Sequence, residues 1–318
     1  MAPASSRMRD VFLASVLARM KTDRRLFFLS ADFGSPVLDV VARDYPDRFI
    51  NVGIAEQNLI NVATGLALEG FVVVAYAIAP FLSMRCYEQI RVNLGILSQV
   101  RPLNVNMVGV GAGLSYDVSG PTHQALEDLS IMRTLPNVEV LSPADGASAG
   151  AIAEYCLEHS GPKYVRLDGK PLASLYETGA AVNVEMGFHE WRRGTDVCLV
   201  ATGYMVHTAL KAAQILEAEN LSVGVVDMFA LSKYKASELS DVLGHYQTVI
   251  TIEEGFVGKG GLDACLNEAL GARGGQRVHA LGLPSRYSFR VGDRDEMLRD
   301  SGLGEVSIAA KARECLRR

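Results

Sequence analysis

Short runs rich in β-branched and aromatic residues alternate with longer stretches of helical periodicity from one end of the chain to the other. Nothing else in the sequence constrains the fold as much, because parallel strands need long crossovers that helices supply, and the product is a sheet covered by helices. In the first half the strands are expected at Leu26–Ser30, Phe49–Val52, Phe71–Tyr76, Leu103–Val108, Val138–Leu141 and Tyr164–Arg166. Helices are expected between them, most clearly at Asp10–Met20, Glu56–Leu68, Leu82–Val92 and Gly146–Glu158, where apolar residues recur three and four apart. The periodicity fades between Lys170 and Arg193. It returns with strands near Asp196–Ala201, Ser222–Val226, Thr248–Ile252 and Val278–Leu281, and helices near Val206–Glu219, Ala236–Leu243 and Leu262–Leu270. Two α/β domains are therefore expected, 1–172 and 193–318, joined by a linker over 173–192. No repeat of fixed period and no low-complexity segment interrupts them.

Composition narrows the partners. A chain of 318 residues that is 49% hydrophobic and 21% charged is long enough for two cores. Its net charge of −5 excludes the basic surface that nucleic acid or an anionic membrane demands, which leaves small molecules and proteins. Five cysteines, an odd number with no CxxC pair, point to a reducing, cytoplasmic setting. The polar start, MAPASSRMRD, is not followed by an apolar stretch of signal-peptide kind, so secretion is not expected, and with no run of about 18 uncharged apolar residues no membrane span is expected.

Two segments carry the chemistry. Asn51–Asn58 reads NVGIAEQN and sets one carboxylate, Glu56, between an extended apolar run and a helical one, a buried position for an acid. An isolated glutamate there reads as a first-turn helix acid, favoured by the helix dipole by about 0.3–1 kcal/mol. Its surroundings point further, since FINVGIAEQN runs into a small-residue helix, VATGLALEG, and then an apolar strand, FVVVAYA. The second segment, Gly120–Gln124, reads GPTHQ and places His123 on a Gly- and Ser-rich loop after the strand ending near Val108. Loops at the carboxyl ends of parallel strands are where such folds bind ligands. A lone loop histidine otherwise serves as a surface hydrogen-bonding group.

Together these segments resemble the thiamine diphosphate enzymes of the transketolase superfamily. The resemblance covers essentially the whole chain and maps its two mostly parallel, helix-flanked sheets onto the transketolase pyrimidine-binding and C-terminal domains. It implies that Glu56 is the acid that hydrogen-bonds the pyrimidine ring of thiamine diphosphate and activates the coenzyme. It implies that His123 binds the donor's terminal hydroxyl and helps move protons there. The family's aromatic pyrimidine pocket matches APFLSMRCYEQIR, with Phe81 and Tyr87 at the spacing of two aromatics and Met84 in place of a third. A thioether packs on a ring face or edge. An amphipathic core helix would carry the same pattern.

Further site residues follow from the resemblance. Asp32, in SADFG, matches an acid near the coenzyme and reads equally as an N-cap or Asx-turn residue. For the substrate and its phosphate the matching positions are Arg9, Ser35 and Arg166, with the register in YVRLDGK open between Arg166 and Lys170. Where the family carries an acid directly before GPTHQ, this chain has Ser119, with Asp117 two residues earlier. In the second domain Glu253, Glu254 and His207 are assigned structural roles. The glycines of VATGYM and VGKGGL fit neither dinucleotide nor P-loop patterns.

The family's metal signature, GDG followed by an asparagine, does not occur in the sequence. The resemblance therefore implies a split enzyme. This chain would contribute no metal ligand, and a separately encoded N-terminal subunit would hold the diphosphate and Mg2+. Self-association into a dimer and a heterotetramer of two plus two chains are implied. The expected activity is that of a transferase of carbohydrate metabolism, moving a two-carbon ketol unit from a ketose, read as a phosphorylated one, to an aldehyde. The alternatives are the β-subunit of a 2-oxo acid dehydrogenase, deoxyxylulose-phosphate synthase-like chemistry, and a non-catalytic regulatory subunit.

Overall fold

A computed structural model describes residues 5–176, 182–271 and 276–317. The chain opens with β1 (Ser5–Arg7) and α1 (Met8–Met20), followed by β2 (Leu26–Ser30), α2 (Pro36–Asp44), β3 (Phe49–Asn51), α3 (Glu56–Leu68) and β4 (Val72–Ile78). A wide helical stretch follows, built from π-helix at Phe81–Arg85, a short α4 (Tyr87–Gln89) and π-helix again at Ile90–Ile96. Then come β5 (Asn104–Val110), α5 (Asp128–Arg133), β6 (Glu139–Leu141), α6 (Gly146–Glu158), β7 (Lys163–Leu167) and β8 (Pro171–Ala173).

Strands β3, β2, β4, β5, β7 and β6 form, in that order, a parallel six-stranded sheet. Its central strands, VVVAYAI and NVNMVGV, are apolar on both faces because helices cover both. One face packs on α3 and the π-helical stretch through Leu59, Ala63, Leu82, Ile90 and Leu94. The other packs on α1 and α6 through Phe12, Val16, Ile152 and Ala153. Local signals start the helices: Ser35 caps α2 ahead of Pro36, and Asp145 and Ser148 form a reciprocal capping box on α6. Strands β1 and β8 pair antiparallel at the edge of this domain.

The second sheet comprises β9 (Phe188–Arg192), β10 (Val197–Ala201), β11 (Val223–Met228), β12 (Thr248–Phe256) and β13 (Arg277–Leu283), in the order β13-β12-β10-β11-β9. Only β9 runs antiparallel. Helices α7 (Met205–Glu217), α8 (Ala236–Leu243), α9 (Leu262–Leu270), α10 (Arg294–Asp300) and α11 (Glu305–Leu316) cover it. Strand β9 falls inside the stretch read as linker, and residues 177–181 of that stretch lie outside the described residues. Its alternating FHEWR pattern puts Phe188 inward on an edge strand. Asp293, in the chain's only Gly-Asp pair, caps α10 through the Glu296 amide. Among the described residues no helix is long and apolar enough to cross a membrane, and all five cysteines are buried, none of them in a disulfide.

The domains are stitched together by the backbone. The Ser142 amide donates to Phe229 O at 2.7 Å and the Leu231 amide to Val140 O at 2.9 Å. Arg133 reaches across to Leu231 O and Gly261 O, and His207 Nε2 pairs with Ala144 O at 2.8 Å.

One buried acid in the second sheet ties stability to pH. Asp227 is fully buried; it accepts from the Tyr176 hydroxyl at 2.8 Å, while its other oxygen has no partner among the described residues. Burial pushes its carboxyl up to about 8, with nearby Asp145 adding to the rise. Folding thus takes up a proton between the unfolded value of about 3.9 and that pH, so stability falls as pH rises through this window. Asp227→Asn removes this contribution. In thermal melts its Tm relative to the unsubstituted chain is expected to rise by a few degrees between about pH 5 and about pH 9. A pH-independent difference would refute the assignment.

Candidate active site

The strand order of the first sheet reverses between β2 and β4, and the crevice outside the carboxyl ends of such strands is where open α/β sheets bind ligands. Three connections meet there: the turn from β3 into α3, the turn from β4 into the π-helical stretch, and the loop after β5. They carry Glu56, Phe81 and His123 respectively.

Glu56 is the first residue of α3, and its side chain is 2% exposed. Gly53, at φ +74°, turns the chain sharply enough after β3 for the acid to enter the helix from below the rim. One carboxylate oxygen lies 2.6 Å from Arg85 Nη1. The Arg85 guanidinium in turn lies over the Phe81 ring, 4.6 Å from its centroid. Phe81 also meets the His123 ring, edge-on at 5.2 Å between centroids. An acid, an aromatic face and an imidazole thus form a continuous cluster, with Arg85 set between the first two. His123 Nδ1 pairs with Thr122 Oγ1 at 3.0 Å, which leaves its other nitrogen clear of that bond. In the same loop, buried Gln124 has no partner for either end of its amide among the described residues.

The remaining expected residues are distributed unequally. Asp32 sits at the rim of the crevice in the left-handed region, φ 52°, where Asn51 Nδ2 donates to its carboxylate at 3.1 Å. Ser35 is buried and caps α2 by accepting from the Leu38 amide. Arg9 is partly buried on α1 and donates to Asp10; burial opposes its charge, but Asp10, with Tyr76 and Tyr116 nearby, more than offsets that and raises its pKa. Ser119 is exposed on the loop ahead of His123.

Three positions depart from the expected arrangement. Met84 is 41% exposed and faces outward. Tyr87 turns its hydroxyl toward α5, donating to Ile131 O at 3.1 Å and meeting Thr134 Oγ1 at 2.6 Å. The cause is the winding: in an i→i+5 helix, residues three apart no longer share a face, whereas Phe81 and Arg85 nearly do. Arg166 is buried in the domain junction, where it donates to Asp128, Ala125 O and Glu254 O rather than to the crevice. Lys170, the other register, pairs with Asp117. Asp117 also accepts from the Arg294 amide at 3.1 Å, so it fixes the loop instead of facing the crevice.

Arg85 is the candidate-site residue that the motifs do not single out. Its signal is present in the buried positions Leu82, Cys86, Ile90 and Leu94, which recur strictly every four residues. Residues four apart are neighbours on a helix face, and Arg85 lies four after Phe81.

In the second domain the equivalent crevice, between β10 and β12, is filled from within. Arg294 occupies it, bound to Glu254 and Asp168 and stacked 3.8 Å over the Tyr204 ring. Glu253 accepts from the Leu262 amide, and burial pushes its carboxyl up to about 7. Among the described residues no group of three or more His, Cys, Asp or Glu side chains is placed to hold a metal ion.

The fold and the crevice define a two-domain α/β protein with a buried acid at the carboxyl edge of its first sheet. Residues 5–172 match the family description "Transketolase, pyrimidine binding domain" and residues 189–308 match "Transketolase, C-terminal domain". The chain belongs to the transketolase family, whose members are thiamine diphosphate-dependent transferases of ketol units. It is 32% identical over 310 residues to a putative transketolase C-terminal section of Methanocaldococcus jannaschii, covering 96% of this chain and 95% of that one. It is 31% identical to an apulose-4-phosphate transketolase subunit of Actinobacillus succinogenes, covering 84% of each. A solved structure described as a split gene transketolase, inactive beta4 tetramer, superposes with a TM-score of 0.86 at 31% identity and 99% coverage of both chains.

Proposed function

We propose that this chain is the pyrimidine-binding subunit of a split transketolase, completed by a separately encoded subunit that carries the diphosphate and Mg2+ site. The assembly moves a two-carbon ketol unit from a ketose to an aldehyde. The observation that carries this reading is the buried Glu56 carboxylate set against Phe81 and His123 where three parallel strands end.

These residues fit the pyrimidine half of the coenzyme. A buried acid paired with a half-exposed arginine can exchange that partner for a ring nitrogen, and the Phe81 ring offers an apolar face beside it. Thiamine diphosphate, when bound, supplies the carbon nucleophile and electron sink that protein side chains lack. Glu56 holds and shares a proton at its carboxylate; His123 binds the donor's hydroxyl and takes or returns a proton at its imidazole. Asp32 and Asn51 shape the rim. Ser119, open on the loop, replaces an acid with a hydroxyl and changes how the sugar is read. With Arg166 and Lys170 both engaged elsewhere, Arg9 and the partner subunit are left to recognise a phosphate.

The partner is supported by what surrounds the crevice. Ile54, Met84 and Val118 are 76%, 41% and 74% exposed, each within two residues of Glu56, Arg85 or Ser119, so the segments that build the crevice carry bare apolar side chains. The absence of GDG from the sequence points the same way. Titration calorimetry of thiamine diphosphate with Mg2+ is the test. Binding is expected only when the partner subunit is mixed with this chain, and Glu56→Ala weakens it. Absence of binding from the mixture would sink the proposal.

A further inference from the structure

We propose that Arg85 is a resident stand-in for the coenzyme's pyrimidine ring, filling the slot between Glu56 and Phe81 in the chain alone and swinging outward when the coenzyme enters. The inference rests on the role proposed for Glu56, and it adds a competitor for that acid. A guanidinium is planar, delocalised and a hydrogen-bond donor, and it stacks on aromatic faces. Arg85 uses both properties: one nitrogen donates to Glu56 at 2.6 Å while the carbon lies 4.6 Å from the Phe81 centroid. Those are the two contacts that a donating pyrimidine would need from the same acid and the same ring.

The position suits displacement. Glu56 is 2% exposed and cannot leave, whereas the Arg85 side chain is 44% exposed and stands on the open edge beside exposed Met84. An arginine side chain reaches water by rotating about its own bonds, with no change of backbone. Its place in the helix sets it there: Arg85 lies four residues after Phe81, a spacing that shares a helix face, while Met84, three after, is turned outward. Arg85 therefore keeps the acid compensated while the slot is empty, and binding costs the coenzyme the exchange of one donor for another.

Competition predicts a gain of affinity on removing the arginine, which a merely structural role would not produce. In the assembled enzyme, Arg85→Ala is expected to lower the calorimetric Kd for thiamine diphosphate about two- to tenfold. Arg85→Lys, which keeps the charge but loses the planar stack, is expected to fall between the two. A Kd that is unchanged or raised in Arg85→Ala overturns the proposal. Glu56→Gln, titrated and assayed in the same assembly, separates the two readings. If it abolishes turnover while Arg85→Ala fails to tighten binding, the stand-in is wrong and the acid's role stands; if turnover survives Glu56→Gln, the acid's role itself fails.

Discussion

Glu56→Gln is expected to cut ketol transfer by the assembled enzyme about 10²- to 10⁴-fold, the range over which a positioned proton-transfer group contributes. Glutamine keeps the size and one acceptor oxygen but cannot hold or share a proton. The loss should appear in kcat, with coenzyme affinity changed far less, because the remaining contacts with the ring and the diphosphate are untouched. Folding should hardly notice. The substitution removes the buried charge and leaves Arg85, which reaches water, as the unpaired member, so no charge is stranded in the interior. A steady-state assay with a ketose donor and an aldehyde acceptor, alongside a thermal melt, decides the matter. A variant within about tenfold of the unsubstituted enzyme would show that another group holds the proton.

How much of this is legible in the residues depends on what each signal encodes. Helices Glu56–Leu68, Gly146–Glu158, Ala236–Leu243 and Leu262–Leu270 begin and end where apolar periodicity places them. Strand positions follow equally well, because a sheet buried on both faces leaves unbroken runs such as VVVAYA. Helix α2 escapes a periodicity argument although Ser35 and Pro36 announce it, since PVLDVVARD is short and buries only Leu38 and Val41. Strand β9 reads as linker because an edge strand pairs on one side and needs little hydrophobicity to form.

The candidate site is legible at the acid and the histidine, where a local string specifies the turn. It is not legible in the Phe81–Ile96 stretch, where an α-helical spacing projected onto a wider helix puts the wrong residues on one face. Arg166 is misleading for a different reason. An arginine in a strand next to a glycine-rich turn reads as a ligand-binding group, and only the tertiary structure shows Asp128 and the Glu254 carbonyl waiting for it in the junction.

The junction supplies the largest expected effect on stability. Arg294 is 3% exposed, and every strong contact its guanidinium makes is to charge: Nε donates to Glu254 Oε1 at 2.8 Å, Nη1 to Asp168 Oδ2 at 2.6 Å, and Nη2 to the other Glu254 oxygen. Burial opposes its charge, but Asp168 and Glu254 more than offset that and push its pKa well above the usual arginine value. Asp168 belongs to the first domain and Glu254 to the second, so one guanidinium neutralises an acid from each. Arg294→Met keeps much of the volume and leaves both carboxylates buried without their cation. A loss of about 3–5 kcal/mol is expected, as when one partner of a buried ion pair is removed. The double variant Arg294→Met, Glu254→Gln should lose less than the sum of the single losses, because the second change removes a charge that the first has stranded. Urea unfolding midpoints measure both. A loss below about 1 kcal/mol for Arg294→Met would mean that water reaches the junction and that the pair is worth no more than one on the surface. The Arg294 amide and Lys170 both hold Asp117 of the loop that carries His123, bonds that a change of the Arg294 side chain leaves in place, so the second domain, whose own crevice is filled, helps set where His123 stands.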